Sequence, residues 1–268
     1  MPAPAGVDVV YGDATDGTAM ASLVAGGRDV VYAAGTSLPL AVERDPAQLV
    51  EPLRALVTVL EAVRINAGSS LLFLSSGGTV YGEPGHLPVT EDHPLRPRSA
   101  YGSEMVAAET YVAYYARRHG VAATSLRCAN AYGPGQQPHR GQGLIATVLD
   151  AATHGQAVEV WGDGSAVRDY VFIDDLATAV VALLGRADLP EALNLGSGVG
   201  ASVHEVLELV EATTGRALRV HWRGSRPFDV SRVVLDITRL RSLIAFEPTP
   251  LAVGIRDTWA AISRSTVA

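Results

Sequence analysis

The chain has 268 residues, of which 48% are hydrophobic and 18% charged, with a formal net charge of −7. That is enough for one large or two modest domains with a substantial core, and too apolar for a disordered chain. No basic run calls for nucleic acid, no apolar run reaches the ~18 residues of a membrane span, no signal peptide precedes Val7, and the single cysteine, Cys128, excludes an internal disulfide framework; a soluble cytoplasmic protein is expected.

Val7–Val10 is a short β-branched run that reads as a first strand, ending in Tyr-Gly-Asp. Thr15–Ala25 reads as a short helix, Asp29–Ala34 as a second, buried strand, and Pro46–Asn66 as a long helix with apolar positions at Leu49, Leu53, Leu56, Val57, Leu60 and Val63. Leu71–Leu74 is the third strand, and it runs into two serines and two glycines. Glu83–Pro97 is a loop with four prolines, Ser103–His119 a helix, and Ala122–Leu126 a fourth strand. Strands alternating with helices predict a parallel, doubly wound sheet, which places chemistry at the strand tips.

After Asn130 the texture changes to a turn-rich loop, YGPGQQPHRGQG. Leu144–Thr153 reads as a helix, Ala157–Trp161 as a strand, and Ile173–Leu184 as a helix with Asp174 and Asp175 at its start, where the helix dipole favours negative charge. Ser202 and Glu205 form a capping-box pattern for a helix to Thr213. This half, 131–268, reads as a smaller α/β substrate lobe interleaved with the first, 1–130, with segments around 165–185 returning to it. Trp161 and Trp222 are expected in the core. His86, Asp92 and His93 match no metal-ligand spacing, so no metal is expected. The cluster Gly196-Ser197-Gly198-Val199-Gly200 reads as a turn.

The motifs GDATD, VYAAG, SSGGTVYG, YGSEM, RCANAYGPGQ, WGDGSAVRDYVFIDD, NLGSG and RPFDV occur in that order. On them the chain resembles the sugar-nucleotide epimerases and dehydratases of the extended short-chain dehydrogenase/reductase family, from Val7 to about Trp259. The resemblance implies a Rossmann-like α/β fold and a chain that lacks the first βαβ unit, with its phosphate-binding glycines and ribose-binding acid. The simplest account of that gap is a truncated sequence or a misplaced start at Met1.

By the same resemblance, NAD is the cofactor, touched by Asp13, Ala14, Ala33, Ala34, Gly35, Ser75 and Tyr101. A nucleotide-diphosphate sugar is the substrate, held by Asn130, Arg168, Arg226 and, at the ribose, Asp229. The implied reaction is the NAD-dependent epimerisation of UDP-glucose 4-epimerases, through transient oxidation at carbon four. A homodimer through helices 52–66 and 103–119 is implied too.

Tyr101 would be the acid/base. A phenol of pKa ~10 is only ~0.1% ionised at pH 7, a shortfall of ~4 kcal/mol, which the family meets with a lysine one helical turn on. Here that residue is Met105, and all 21 basic residues are arginine. The family's strand-end Ser/Thr falls on Gly77, so the hydroxyl must come from Ser76 or Thr79, the latter on the same face of an extended segment. A catalytically impaired or non-catalytic nucleotide-sugar-binding relative is the alternative raised by Met105, Gly77 and the absent glycine fingerprint.

Overall fold

The structure is a computed structural model that describes residues 6–35, 39–138, 143–226 and 229–267. Gly17–Val24 (α1) is followed by Val30–Tyr32 (β1), Pro39–Arg44 (α2) and Val50–Ile65 (α3). Ser70–Ser76 (β2), Ala100–His119 (α4) and Ala122–Cys128 (β3) come next. Asn130–Tyr132 (β4), Leu144–His154 (α5), Ala157–Trp161 (β5), Val167–Phe172 (β6), Ile173–Leu183 (α6) and Ala192–Leu195 (β7) continue the chain. Gly200–Ser202 (β8), Val203–Thr214 (α7), Arg219–Arg223 (β9), Arg232–Val233 (β10), Thr238–Leu243 (α8) and Leu251–Val267 (α9) complete it.

The strands β1, β2, β3 and β7 form a parallel sheet in that order. β2 is buried along nearly its whole length, as a strand covered on both faces must be. Leu60, Leu71, Val112, Leu126, Leu195 and Leu235 belong to one hydrophobic cluster around this sheet. Two residues past the end of β3 the chain steps into a second sheet, in which β6 lies between β4 and β10 and pairs antiparallel with β8. A separate parallel pair, β5 with β9, flanks it. Ile145, Leu149, Val206 and Ile255 belong to a second cluster beneath these strands. No helix among the described residues is long and apolar enough to cross a membrane.

Four sequence expectations need correction. Val7–Val10 is not a strand: Val7, Val9, Val10 and Tyr11 are exposed, and the run pairs with nothing among the described residues. A β-branched run makes a strand only where a neighbour completes its ladder. The long helix begins at Val50 after a 3₁₀ turn over Pro46–Leu49. That start leaves Pro52 in the first turn, where its missing N–H has no intrahelical partner to lose. The fourth helix starts at Ala100, because the Ser99 hydroxyl accepts from Gly102 N at 3.0 Å and so caps it, with Tyr101 inside its first turn. Trp161 and Trp222 are each 46% exposed rather than in the core. They lie on β5 and β9, a two-stranded pair with no further strand beside it among the described residues, and face an open surface.

Candidate functional site

The β2 tip is a tight turn. Gly77 N donates to Cys128 O at 2.8 Å, and Thr79 N and Val80 N both donate to Ser76 O at 3.1 Å. The segment is therefore not extended, and Thr79 reaches the site by the turn rather than by strand alternation; its hydroxyl donates back to Ser76 O at 3.3 Å. Gly77 explains itself: a Cβ there would lie 2.7 Å from Leu235 Cδ1 and 2.8 Å from Arg127 O. A Ser or Thr at this position has no room. Gly102 does similar service, since a Cβ would sit 2.9 Å from Pro97 Cβ and 3.1 Å from Thr79 O. Its absence lets the first turn of α4 press Tyr101 against the β2 tip.

Ser75, Ser76, Thr79, Tyr101, Asn130, Arg168, Arg226 and Asp229 all line one cavity of about 480 Å³. The Ser76 hydroxyl and the Tyr101 phenol line this cavity together. Burial pushes the phenol above the ordinary tyrosine range, the neighbouring Glu104 carboxylate raises it further, and the Ser76 hydroxyl pulls the other way. Among the described residues no cation contributes. Met105, one turn on, is 7% exposed and packed into the first core cluster. The Ser75 hydroxyl is engaged elsewhere, donating to Glu109 Oε1 at 2.5 Å.

The anion side is built from the second sheet. Asn130 pairs with Tyr170 across β4 and β6, so Arg168, two residues before Tyr170, shares a face with it. Arg168 is half-buried and donates from Nη1 to Val167 O at 2.9 Å and Ser231 O at 3.4 Å. Among the described residues no carboxylate forms an ion pair with it, and burial pulls its guanidinium below the ordinary arginine range. Arg226 differs: its Nε and Nη2 donate to the two Asp229 oxygens at 2.9 and 3.0 Å, and its guanidinium lies 5.4 Å from the Trp161 ring centre. Asp229 is thus shared with an arginine rather than poised alone. A larger hollow of about 930 Å³ continues from these residues past Trp161, Gly162 and Asp163.

The cofactor residues lie at the other edge of the site. Ala33, Ala34 and Gly35 leave β1 as an exposed segment of small side chains, and a Cβ on Gly35 would meet nothing within 4 Å. Asp13 is exposed; its Oδ1 accepts from Thr15 N at 2.8 Å and Thr15 Oγ1 at 2.9 Å, and those two bonds hold its carboxyl below the usual range. Ala14 is half-buried in the same turn. These residues form an exposed edge of small side chains beside one short acidic turn. They do not supply a phosphate cradle. The N-terminal amides of α1, Thr18 N and Ala19 N, are already capped by Asp16 Oδ1 at 3.0 and 3.1 Å, and a carboxylate there opposes a phosphate.

Sequence reasoning missed Arg98, Cys128, Gln136 and Tyr170 among the lining residues, and Glu104 beside the phenol. Glu104 was legible: it stands three residues after Tyr101 on a helix, and so on a shared face. Arg98 gave no signal, since a loop arginine before a helix cap is ordinarily a solvated charge.

Residues 2–196 match the family described as "NAD dependent epimerase/dehydratase family". The chain is 34% identical over 227 residues to UDP-glucose 4-epimerase of Mycolicibacterium smegmatis, covering 84% of this chain and 72% of that one. It is 28% identical over 223 residues to dTDP-4-dehydro-6-deoxyglucose reductase of Escherichia coli, covering 83% and 70%. Its fold superposes on UDP-glucose 4-epimerase of Thermus thermophilus in complex with NAD, with a TM-score of 0.87 and 30% identity, covering 97% of this chain and 86% of that one.

Proposed function

The chain belongs to the NAD dependent epimerase/dehydratase family, and from that premise we propose that it epimerises a UDP-hexose at carbon four. The observation that carries this reading is Arg168, a half-buried cation with no carboxylate in ion-pair contact among the described residues, on the face it shares with Asn130. Burial outweighs the pull of Asp229 and Glu83 on this guanidinium, and a diphosphate would supply a counter-charge in direct contact, with bidentate geometry. Asn130 and Arg226 bind the same group from either side, Asp229 meets the ribose, and the hollow past Trp161 takes the base.

The sugar then lies against the β2 tip and Tyr101. Ser76 orients the carbon-four hydroxyl. Tyr101, as phenolate, accepts that hydroxyl's proton while the carbon releases hydride, and gives the proton back when hydride returns to the opposite face. NAD, when bound, supplies the hydride acceptor. Asp13, Ala14, Ala33, Ala34 and Gly35 line its adenosine side, with Tyr101 at the nicotinamide end. Ser75 serves through its backbone, because its hydroxyl is held by Glu109.

Incubating the purified protein with UDP-galactose and excess NAD, and separating the products, tests the reading. The carbon-four epimer is the expected product; a dehydrated or reduced sugar would move the activity to another branch of the family, and no turnover even at pH 9.5 would overturn it. NAD itself is expected to bind no tighter than about 100 μM. Each charge-assisted phosphate hydrogen bond left unmade lowers affinity roughly tenfold. Calorimetry giving a low-micromolar constant would contradict the incomplete cradle.

The outer faces of α3 and α4 expose Val50, Ile65, Tyr111 and Tyr114, which supports a homodimer through these helices. Sedimentation equilibrium is expected to give twice the chain mass.

A further inference from the structure

Behind the β2 tip lies a buried polar network that the proposed chemistry does not touch. Arg127 on β3 is 6% exposed, as is Glu109 on α4. The guanidinium donates to Glu109 from Nε at 3.0 Å and from Nη2 at 2.8 Å. Its Nη1 donates to the Tyr81 hydroxyl oxygen at 3.0 Å and to Glu91 O at 2.8 Å. Tyr81, fully buried, donates in turn to Asn194 Oδ1 at 2.6 Å, and Glu109 Oε1 takes the Ser75 hydroxyl.

Burying such a pair adds little stability over an apolar pair of the same volume, because desolvation offsets the attraction. What the network does is fix geometry. Ser75 adjoins Ser76, Tyr81 closes the turn that carries Ser76 and Thr79, and Glu109 stands two helical turns beyond Tyr101. The turn is therefore pinned at both ends, and α4 is pinned to the same guanidinium. Resting on the reading above, in which Ser76 and Tyr101 face the sugar, we propose that the Glu109–Arg127 pair is a positioning device: it sets the reach from Ser76 to Tyr101, and so the fit of the hexose. A displacement of about 1 Å at such a site lowers rates by about 100-fold. Arg168 and Arg226 lie off β3 and α4 and away from the pair in the chain, while Asn130 follows Arg127 by three residues.

The test is the double variant Glu109→Leu/Arg127→Met, which keeps volume and removes both charges. Two readouts apply to the folded protein. UDP-hexose affinity is expected to fall about tenfold while UDP affinity stays within about threefold. Modification of Cys128, the sole cysteine, which lines the cavity next to Arg127, by a maleimide is expected to speed up at least tenfold (about one decade of opening). A pair that only packs the core would change the melting temperature and neither readout, and that result overturns the proposal. If the double variant does not fold, Glu109→Gln, which keeps the shape but removes the charge facing the guanidinium, must show the same two shifts, and their absence is equally decisive. Should the unmodified protein bind UDP-hexose no better than UDP, the epimerase reading fails, and the Cys128 rate alone decides the positioning role.

Discussion

Met105→Lys is expected to raise kcat for UDP-galactose turnover about 10²–10³-fold at pH 7, with NAD in excess. Tyr101 must be a phenolate to take the hydroxyl proton, and burial and Glu104 both hold it protonated. The ionised fraction at neutral pH is therefore below ~0.1%. Met105 is one turn along the same helix face, and lysine has nearly its length. An ammonium there would stabilise the phenolate by opposite charge. Two signs accompany the gain. In the unmodified protein the rate should climb about tenfold per pH unit from 7 to 9, because the base sits above the whole interval. In the variant that slope should flatten, because its phenol titrates within the window. The variant should also melt several degrees lower, since a lysine replaces a thioether that is 7% exposed. Unchanged kcat in a folded, UDP-binding variant would mean that something other than the missing cation limits the chemistry.

The sequence was most legible where short-range rules act alone. The β2 run, the capping box at Ser202 and the acidic start of α6 follow from periodicity and capping, and each element lies close to where those rules put it. It was misleading where a residue's state depends on a distant neighbour. Val7–Val10 has strand composition but no ladder partner. Thr79 has strand spacing but sits in a turn closed by Ser76 O. Gly77 looked like a lost hydroxyl, and its reason is the proximity of Leu235 and the Arg127 carbonyl, neither of which is near it in sequence. The Glu109–Arg127 pair joins positions 18 apart and leaves no periodic trace. Motif order named residues that line one cavity; the difference between Arg168 and Arg226, alike on paper, required coordinates.

That difference leads to the second large effect. Arg168→Met is expected to weaken UDP binding about 100-fold and to leave the melting temperature unchanged or raised. Removing the guanidinium abolishes charge-assisted bonds worth about 1.5–3 kcal/mol each to the diphosphate. The same guanidinium donates to the Val167 and Ser231 carbonyls and feels Asp229 and Glu83 only as the lesser effect beside its burial, so an isosteric apolar chain relieves its desolvation. Arg226→Met should behave in the opposite way. Its guanidinium is already paired through two bonds with Asp229, so a diphosphate gains less from a charge it must share. The expected loss of affinity is roughly tenfold or less, and stability should fall because Asp229 loses its partner. Calorimetric titration of both variants with UDP, beside thermal melts, separates the cases. If Arg226→Met lost more affinity than Arg168→Met, the diphosphate would sit on the paired arginine, and the buried cation of β6 would have some other counter-charge.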